Sequence, residues 1–254
     1  MPEKIPATSQ LTKFWNCTAG QKEFGHPIPG HIIDEYFPPS GKILDVGCGY
    51  GRLARQLSNS GFEVSCVDSS QAMLDAARLI APACEFQHCT TAFPWKNHTF
   101  DVAILVTLFT SVPAEIEQRK IVDEVFRVLK PGGHVFVSDM PLQWSKRYLA
   151  RYAEGLKRYG QYGVFDLSDG GTVRHHQLEY FLSVMSDFEL VILEPHEVTT
   201  MNANRAQAFR YVGCVRKQYP PNSLPSELAP RSDTMHAELS TARVVSKTII
   251  SAAQ

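Results

Sequence analysis

Residues able to do chemistry gather in two short stretches. "TVRHHQLEYF", from Thr172 to Phe181, sets the guanidinium of Arg174 beside the imidazoles of His175 and His176. That trio could hold a metal, move a proton or clamp an anion, or it could be an ordinary start to the amphipathic helix that the following residues suggest. "LDVGCGYG", Leu44 to Gly51, runs from an apolar segment into Asp45 and then glycines at 47, 49 and 51. Glycines there permit positive φ and let a ligand approach the backbone. The helix expected next presents free N–H groups at its start, which suit a carboxylate or phosphate. Seventeen residues past Gly51, "FEVSCVD" ends on Asp68, an acid placed to accept from both ribose hydroxyls of a nucleotide.

The charges near that loop discriminate between nucleotides. A dinucleotide fingerprint reads GxGxxG and makes room for a pyrophosphate. This loop reads GxGxG behind Asp45, and a carboxylate beside a pyrophosphate would repel it. An ammonium and a sulfonium would be attracted instead. S-adenosylmethionine (SAM) carries both, with a carboxylate for the helix N-terminus, so charge favours SAM over a nicotinamide dinucleotide. For the Arg-His-His run a metal is disfavoured: adjacent histidines diverge, and no further ligands stand at zinc spacing. The six cysteines (17, 48, 66, 84, 89, 214) form no CxxC and suggest free thiols in a reducing compartment, with cytoplasm as the expected location.

These residues must be positioned by the elements around them. Residues 1–40 are a mixed lead-in. From Gly41 the chain alternates strand-like runs ("KILDVG", "FEVSCVD", "FDVAILV", "GHVFVSD") with helix-like ones ("RLARQLSNSG", "SQAMLDAARLIA", "EIEQRKIVDEVFRVLK"). That alternation implies βαβ units, a parallel sheet and right-handed crossovers. Residues 141–176 break the pattern with a basic, tyrosine-rich helix candidate, "SKRYLARYAEGLKRYG", and a glycine-rich loop. Its residues Tyr148, Leu149, Tyr152, Leu156 and Tyr159 fall on one helical face. "LEYFLSVMS", "FELVILE" and "AFRYVGCVR" follow as a last helix and two strands. The composition then shifts to Pro, Ser and Thr, and residues 219–254 read as a largely disordered tail. With 25 Lys and Arg against 26 Asp and Glu, the chain lacks the charge for broad nucleic-acid or membrane binding. No apolar run reaches the ~20 residues of a membrane span, and "MPEKIPATSQLTKFW" lacks the apolar core of a secretion signal.

"ILDVGCGYGRLA", "VSCVDSSQAML", "FPWKNHTFDVAILV" and "EVFRVLKPGGHVFVSD", in this order and spacing, resemble the class I SAM-dependent methyltransferases, in particular the small-molecule group that includes ubiquinone and menaquinone C-methyltransferases. The resemblance covers about residues 41–140. It implies an α/β Rossmann-like fold with a seven-stranded, mostly parallel sheet, helices on both faces, and one antiparallel strand near the C-terminal edge. It puts Asp45, Gly47, Cys48, Gly49 and Gly51 around the methionine part of SAM and Asp68 on the ribose. It sets Ser69 and Met73 beside the adenine, and Val106 and Leu108 at the transfer site. Where many relatives carry "DA", this chain has Cys89-Thr90, so the backbone of Thr90 or a water would meet the adenine amino group. Thr110-Ser111 stands where relatives often have two histidines, which leaves no base to carry over from there.

The expected organisation is one domain over 1–218: a lid (1–40), a SAM-binding core (41–140) and substrate-recognition elements (141–205). Phe14, Trp15 and Phe24 could close an apolar cover over the cofactor, with His26, held extended before Pro27, aimed inward. Because the regular core supplies no base, His26, His175 and His176 are the candidates for one. Arg174 is expected to grip an anion bidentately, with Trp15, Tyr162, His175 and Asn202 also on the acceptor. The function expected is methyl transfer from SAM to N, O or S of a small polar, anionic metabolite. Two alternatives remain open: a non-catalytic SAM-binding or regulatory protein, and a methyltransferase acting on RNA or protein through the basic helix.

Overall fold

The computed structural model describes residues 2–19, 25–200 and 204–216. Phe24, Asn202 and the expected tail at 219–254 lie outside the described residues. No described helix is long and apolar enough to cross a membrane.

Strands β1 (Lys42–Val46), β2 (Glu63–Asp68), β3 (Glu85–His88), β4 (Phe100–Val106) and β5 (Leu129–Asp139) form the parallel part of one seven-stranded sheet. Strands β8 (Glu189–Thr199) and β9 (Arg205–Cys214) complete it in the order β3-β2-β1-β4-β5-β9-β8, β9 running antiparallel to both neighbours. One reversed strand in an otherwise parallel sheet is the expected arrangement. The order turns back between β1 and β4. Ligands bind in the crevice beyond the strand ends at such a switch point.

Alternation along each strand divides the core into two layers. Leu44, Val46, Ala103, Leu105, Val135 and Val137 face α6 (Glu115–Val128) and α8 (Leu178–Val184). Ile43, Val64, Cys66, Val102, Ile104 and Phe136 face α2 (Gly30–Tyr36) and α3 (Arg52–Asn59). All twelve are nearly inaccessible to solvent. Burial of this kind, at ~25 cal/mol per Å² of apolar surface, is what holds the strand ends in place.

Some elements are absent from the sequence reading. The lead-in contains α1 (Thr8–Thr18) and α2, and the sheet gains β3. Strand β3 is four residues of mixed polarity at an edge, held by backbone pairing to β2 rather than by an apolar run. The largest correction concerns "TVRHH", which does not begin a helix. Thr172–Arg174 is a strand, β7, paired antiparallel to β6 (Val164–Asp166). His176 then pairs with the chain leaving β5: its N–H donates to Met140 O (3.1 Å) and its carbonyl accepts from Leu142 N (2.9 Å). In α7 (Lys146–Tyr159) the buried face is Tyr152, Gly155 and Tyr159, while Leu149 and Leu156 are exposed. Gly155 sets that rotation, since a Cβ there would lie 1.8 Å from Val164 O.

Candidate functional site

Two clefts open at the C-terminal ends of β1 and β4. The first, of about 1130 Å³, has the loop after β1 as its floor and reaches across to Val106 and Leu108. Asp45, Gly47, Cys48, Gly49, Asp68, Ser69, Met73, Thr90 and Val106, all expected at a cofactor, line it. Gly47 and Gly49 have φ of 72° and 54°. A Cβ at Gly47 would meet Leu108 at 2.7 Å, whereas one at Gly49 would meet nothing. Gly49 therefore serves the loop's conformation and Gly47 its clearance from the opposite wall. Gly51 is a correction: it does not line the cleft. It caps α3 at φ 83° and lets that helix pack on α4 (Gln71–Ile80), a Cβ there falling 2.9 Å from that of Ala77.

The two acids differ. Asp68 is tied to the chain, accepting from Gly49 N (2.9 Å) and Ser70 N (2.8 Å), one bond on each oxygen. Each oxygen keeps a lone pair for a hydroxyl. Burial raises its pKa above the usual carboxylate value, against the pull of those amides. Asp45 is fully enclosed, and its Oδ2 meets no hydrogen-bond partner among the described residues. Burial first, and then the charge of Asp68, push its carboxyl up to about 7. A buried carboxylate oxygen without a donor is a costly arrangement that a cationic ligand would relieve. The cleft thus fits the ammonium and adenosine parts of SAM. Cys89 also lines it, but its thiol is directed to Ala92 O (3.0 Å).

Helix α1 forms one wall through Thr8, Leu11 and Trp15. It is fastened over the start of α4, where Asn16 Oδ1 accepts from the Ser70 hydroxyl (2.6 Å) and Ala72 N (3.3 Å). Phe14 turns the other way, onto Gly171 beside the β6–β7 ribbon.

The second cleft, of about 700 Å³, meets the first at Trp15, Thr107 and Ser111, which line both. The loop carrying Thr107 (φ 56°) and Ser111 is held by Asp139 at the end of β5. Its buried carboxylate accepts from Phe109 N (2.8 Å), Thr110 N (3.1 Å), Met140 N (2.8 Å) and the Thr110 hydroxyl. Burial raises the pKa of Asp139 to about 6 even against the lowering pull of these donors. Aromatic and apolar walls come from Tyr148, Phe165, Val173 and Met140. The charged lining residues are Arg147 and Arg151, with no Asp or Glu among the described ones.

Of the expected acceptor-side residues, Trp15, His26 and His175 line this cleft, and Arg174, His176 and Tyr162 do not. The division follows from the strand. Alternate residues face opposite ways, so Val173 and His175 look into the cleft while Arg174 and His176 look out. Arg174 does bind a carboxylate, but it is this chain's Glu115 (2.9 Å), with the guanidinium 4.2 Å over the Tyr180 ring. His176 is buried between Phe109 and Tyr180. Tyr162 packs edge-on against Tyr152, partly in solvent. The sequence pattern shows Arg147 and Arg151 only within a basic run able to steer an anionic substrate and does not single them out. They sit one turn apart in α7, within the basic run already noted.

The histidines that reach the cleft are neutral. His26 Nδ1 is 2.9 Å from the Ser138 hydroxyl, while its backbone carbonyl accepts from Arg52 (2.7 Å). Burial, with His196, Arg52 and Arg210 nearby, brings it down to about 3. His175 falls to about 3 by burial and the neighbouring Arg151.

Comparisons with known proteins agree with this architecture. Residues 43–133 match a family described as methyltransferase domain. A ubiquinone biosynthesis O-methyltransferase of Vibrio cholerae is 32% identical over 150 residues, 55% of this chain and 60% of that protein. A demethylmenaquinone methyltransferase of Clavibacter sepedonicus is 34% identical over 102 residues, 39% of this chain and 40% of that one. A crystal structure of a SAM-dependent methyltransferase from Methanosarcina mazei superposes with a TM-score of 0.72 at 24% identity, covering 76% of this chain and all of that one. The chain spans less than two thirds of the length of the curated relatives it matches.

Proposed function

We propose that this chain, whose residues 43–133 match a methyltransferase domain, is a class I SAM-dependent methyltransferase that binds SAM in the first cleft and transfers the methyl group to O, N or S of a small, polar, anionic metabolite in the second. The observation that carries this reading is the meeting of two clefts of opposite charge at Trp15, Thr107 and Ser111. Among the described residues, the first offers Asp45, Asp68 and Glu117 against a single cation, Arg52. The second offers Arg147 and Arg151 and, among the described residues, no acid.

Bound SAM would supply an electrophilic methyl group on a sulfonium. The chain's part is positional: in-line displacement needs the acceptor's lone pair aligned with the C–S bond and water kept out. Asp45 would balance the cationic end and Asp68 would take the ribose. Leu108 and Trp15 would hold the reacting end at the junction of the clefts. Arg147 and Arg151 would set the acceptor's orientation by its anionic group. The ubiquinone-pathway relative is by name an O-methyltransferase, which favours oxygen as the accepting atom here.

The test is incubation with a metabolite extract and methyl-labelled SAM. Label should appear in a small anionic product, and S-adenosylhomocysteine should form with it. Absence of both, in a chain that binds SAM, would point to the non-catalytic alternative.

A further inference from the structure

We infer that Tyr152 is a positioning residue that fixes which nitrogen of His175 carries the proton, so that His175 presents Nε2–H to the second cleft as a hydrogen-bond donor for an anionic oxygen of the acceptor. This rests on reading the second cleft as the acceptor site.

A phenol has one proton to give and two lone pairs. Gln143 N donates to the Tyr152 hydroxyl at 2.9 Å and occupies one lone pair. The hydroxyl proton then needs an acceptor in a site where Tyr152 is fully buried. Among the described residues its partner is His175 Nδ1, at 2.7 Å. The reverse arrangement, with Nδ1–H donating to the phenol, would leave the hydroxyl proton without a partner, and a buried unmet donor is costly. Gln143 cannot swing away. Its side chain donates to Pro141 O and Gln207 O (both 2.9 Å) and accepts from Gln207 N (3.0 Å).

The imidazole is equally fixed. His175 N donates to Gly163 O (3.0 Å), and Gly163, at φ 90°, is so close that a Cβ there would lie 2.3 Å from His175 O. The rings of Tyr148, Tyr152 and Phe165 surround it at 5.0–5.9 Å between centroids. No hydrogen bond from a described residue reaches Nε2, and the residue lines the cleft. Burial and Arg151 keep the ring neutral, so its single proton has one place left.

The cleft therefore offers donors at Arg147, Arg151 and His175, and no described carboxylate. His175 cannot also take up a proton from the acceptor, because its basic nitrogen is already satisfied by Tyr152. The substrate class that fits is one bringing its own negative oxygen, a carboxylate or an acidic enol or phenol.

The experiment is two-bond proton–nitrogen correlation NMR on the full chain with labelled histidine, His175 being assigned through contacts to the Tyr152 and Phe165 rings. His175 should appear with Nε2 protonated and Nδ1 bare, and should stay so across neutral pH. Benzoate, used as a plain carboxylate probe, should shift the Nε2–H signal. In Tyr152→Phe the preference should relax to a mixture of both forms. An Nδ1–H form in the wild type overturns the inference whatever the cleft binds. A wild-type Nε2–H signal that benzoate leaves unmoved overturns the acceptor-site reading and, with it, the donor role.

Discussion

The two clefts are built by different means. The polar floor of the first is made of strand ends and the turns that leave them: Asp45, Gly47, Gly49 and Asp68 fall within 24 residues of sequence and are fixed by β1 and β2. The second is assembled from distant pieces, with Trp15 on α1, Thr107 after β4, Arg147 and Arg151 on α7, and His175 beyond β7. A local cleft keeps its chemistry as long as its own loop folds. An assembled one can exchange one wall without disturbing the rest. That fits a shared cofactor on one side and a variable acceptor on the other.

Substitutions can break this contrast. Removing both arginines (Arg147→Ala with Arg151→Ala) should lower kcat/KM for an anionic acceptor on the order of 100-fold, while SAM affinity in calorimetry stays the same. A parallel loss of SAM binding would mean that the clefts are not separable. In the other cleft, Asp45→Asn should weaken SAM roughly tenfold, as one buried charge pair is lost.

Asp45 also has a pH signature. Its carboxyl sits near 7 in the free chain, and a cationic ligand favours the ionised form. SAM affinity should therefore fall as pH drops below about 7 in the wild type, with proton release on binding, and be flatter in Asp45→Asn. Folding stability runs the other way. An acid raised from 3.8 to about 7 binds its proton more tightly when folded, so its contribution is lost as pH rises through that window. The smallest effect is expected from Arg174→Ala, about 1–3 kcal/mol of stability from the lost ion pair and ring stacking, seen as a lower Tm. Methyl transfer at a temperature where the variant is folded should be near wild type. A large loss of turnover there would return Arg174 to the acceptor.

The same contrast explains what could be read from the sequence. Asp45, the glycines and Asp68 are legible because a strand, a turn and a helix start are local events with their own residue preferences. The parallel sheet follows from the alternation and the right-handed crossover, while the number of strands and the reversed one come from the resemblance. The acceptor side depends on long-range packing. Arg174, His175 and His176 are adjacent in sequence, and only the pairing of β7 with β6 assigns them to opposite faces. Read as a helix start, the three look equivalent; read as a strand, the period of two separates His175 from its neighbours. Arg151 was visible only as part of a basic helix, because Gly155, through its contact with Val164, decides which face of α7 turns inward. The glycine at 51 shows the opposite error. It completes the loop's pattern but serves the packing of α3 on α4.

The central claim is that the first cleft holds SAM through Asp45 and Asp68, and the measurement that bears on it most directly is calorimetric titration of the wild type and Asp68→Ala with SAM at pH 7.5 or above. The account predicts saturable one-to-one binding to the wild type. It predicts a loss on the order of 100-fold in the folded variant, where two ribose hydroxyls have no carboxylate to meet. Equal affinity in the two proteins, or no binding to the wild type, would contradict it.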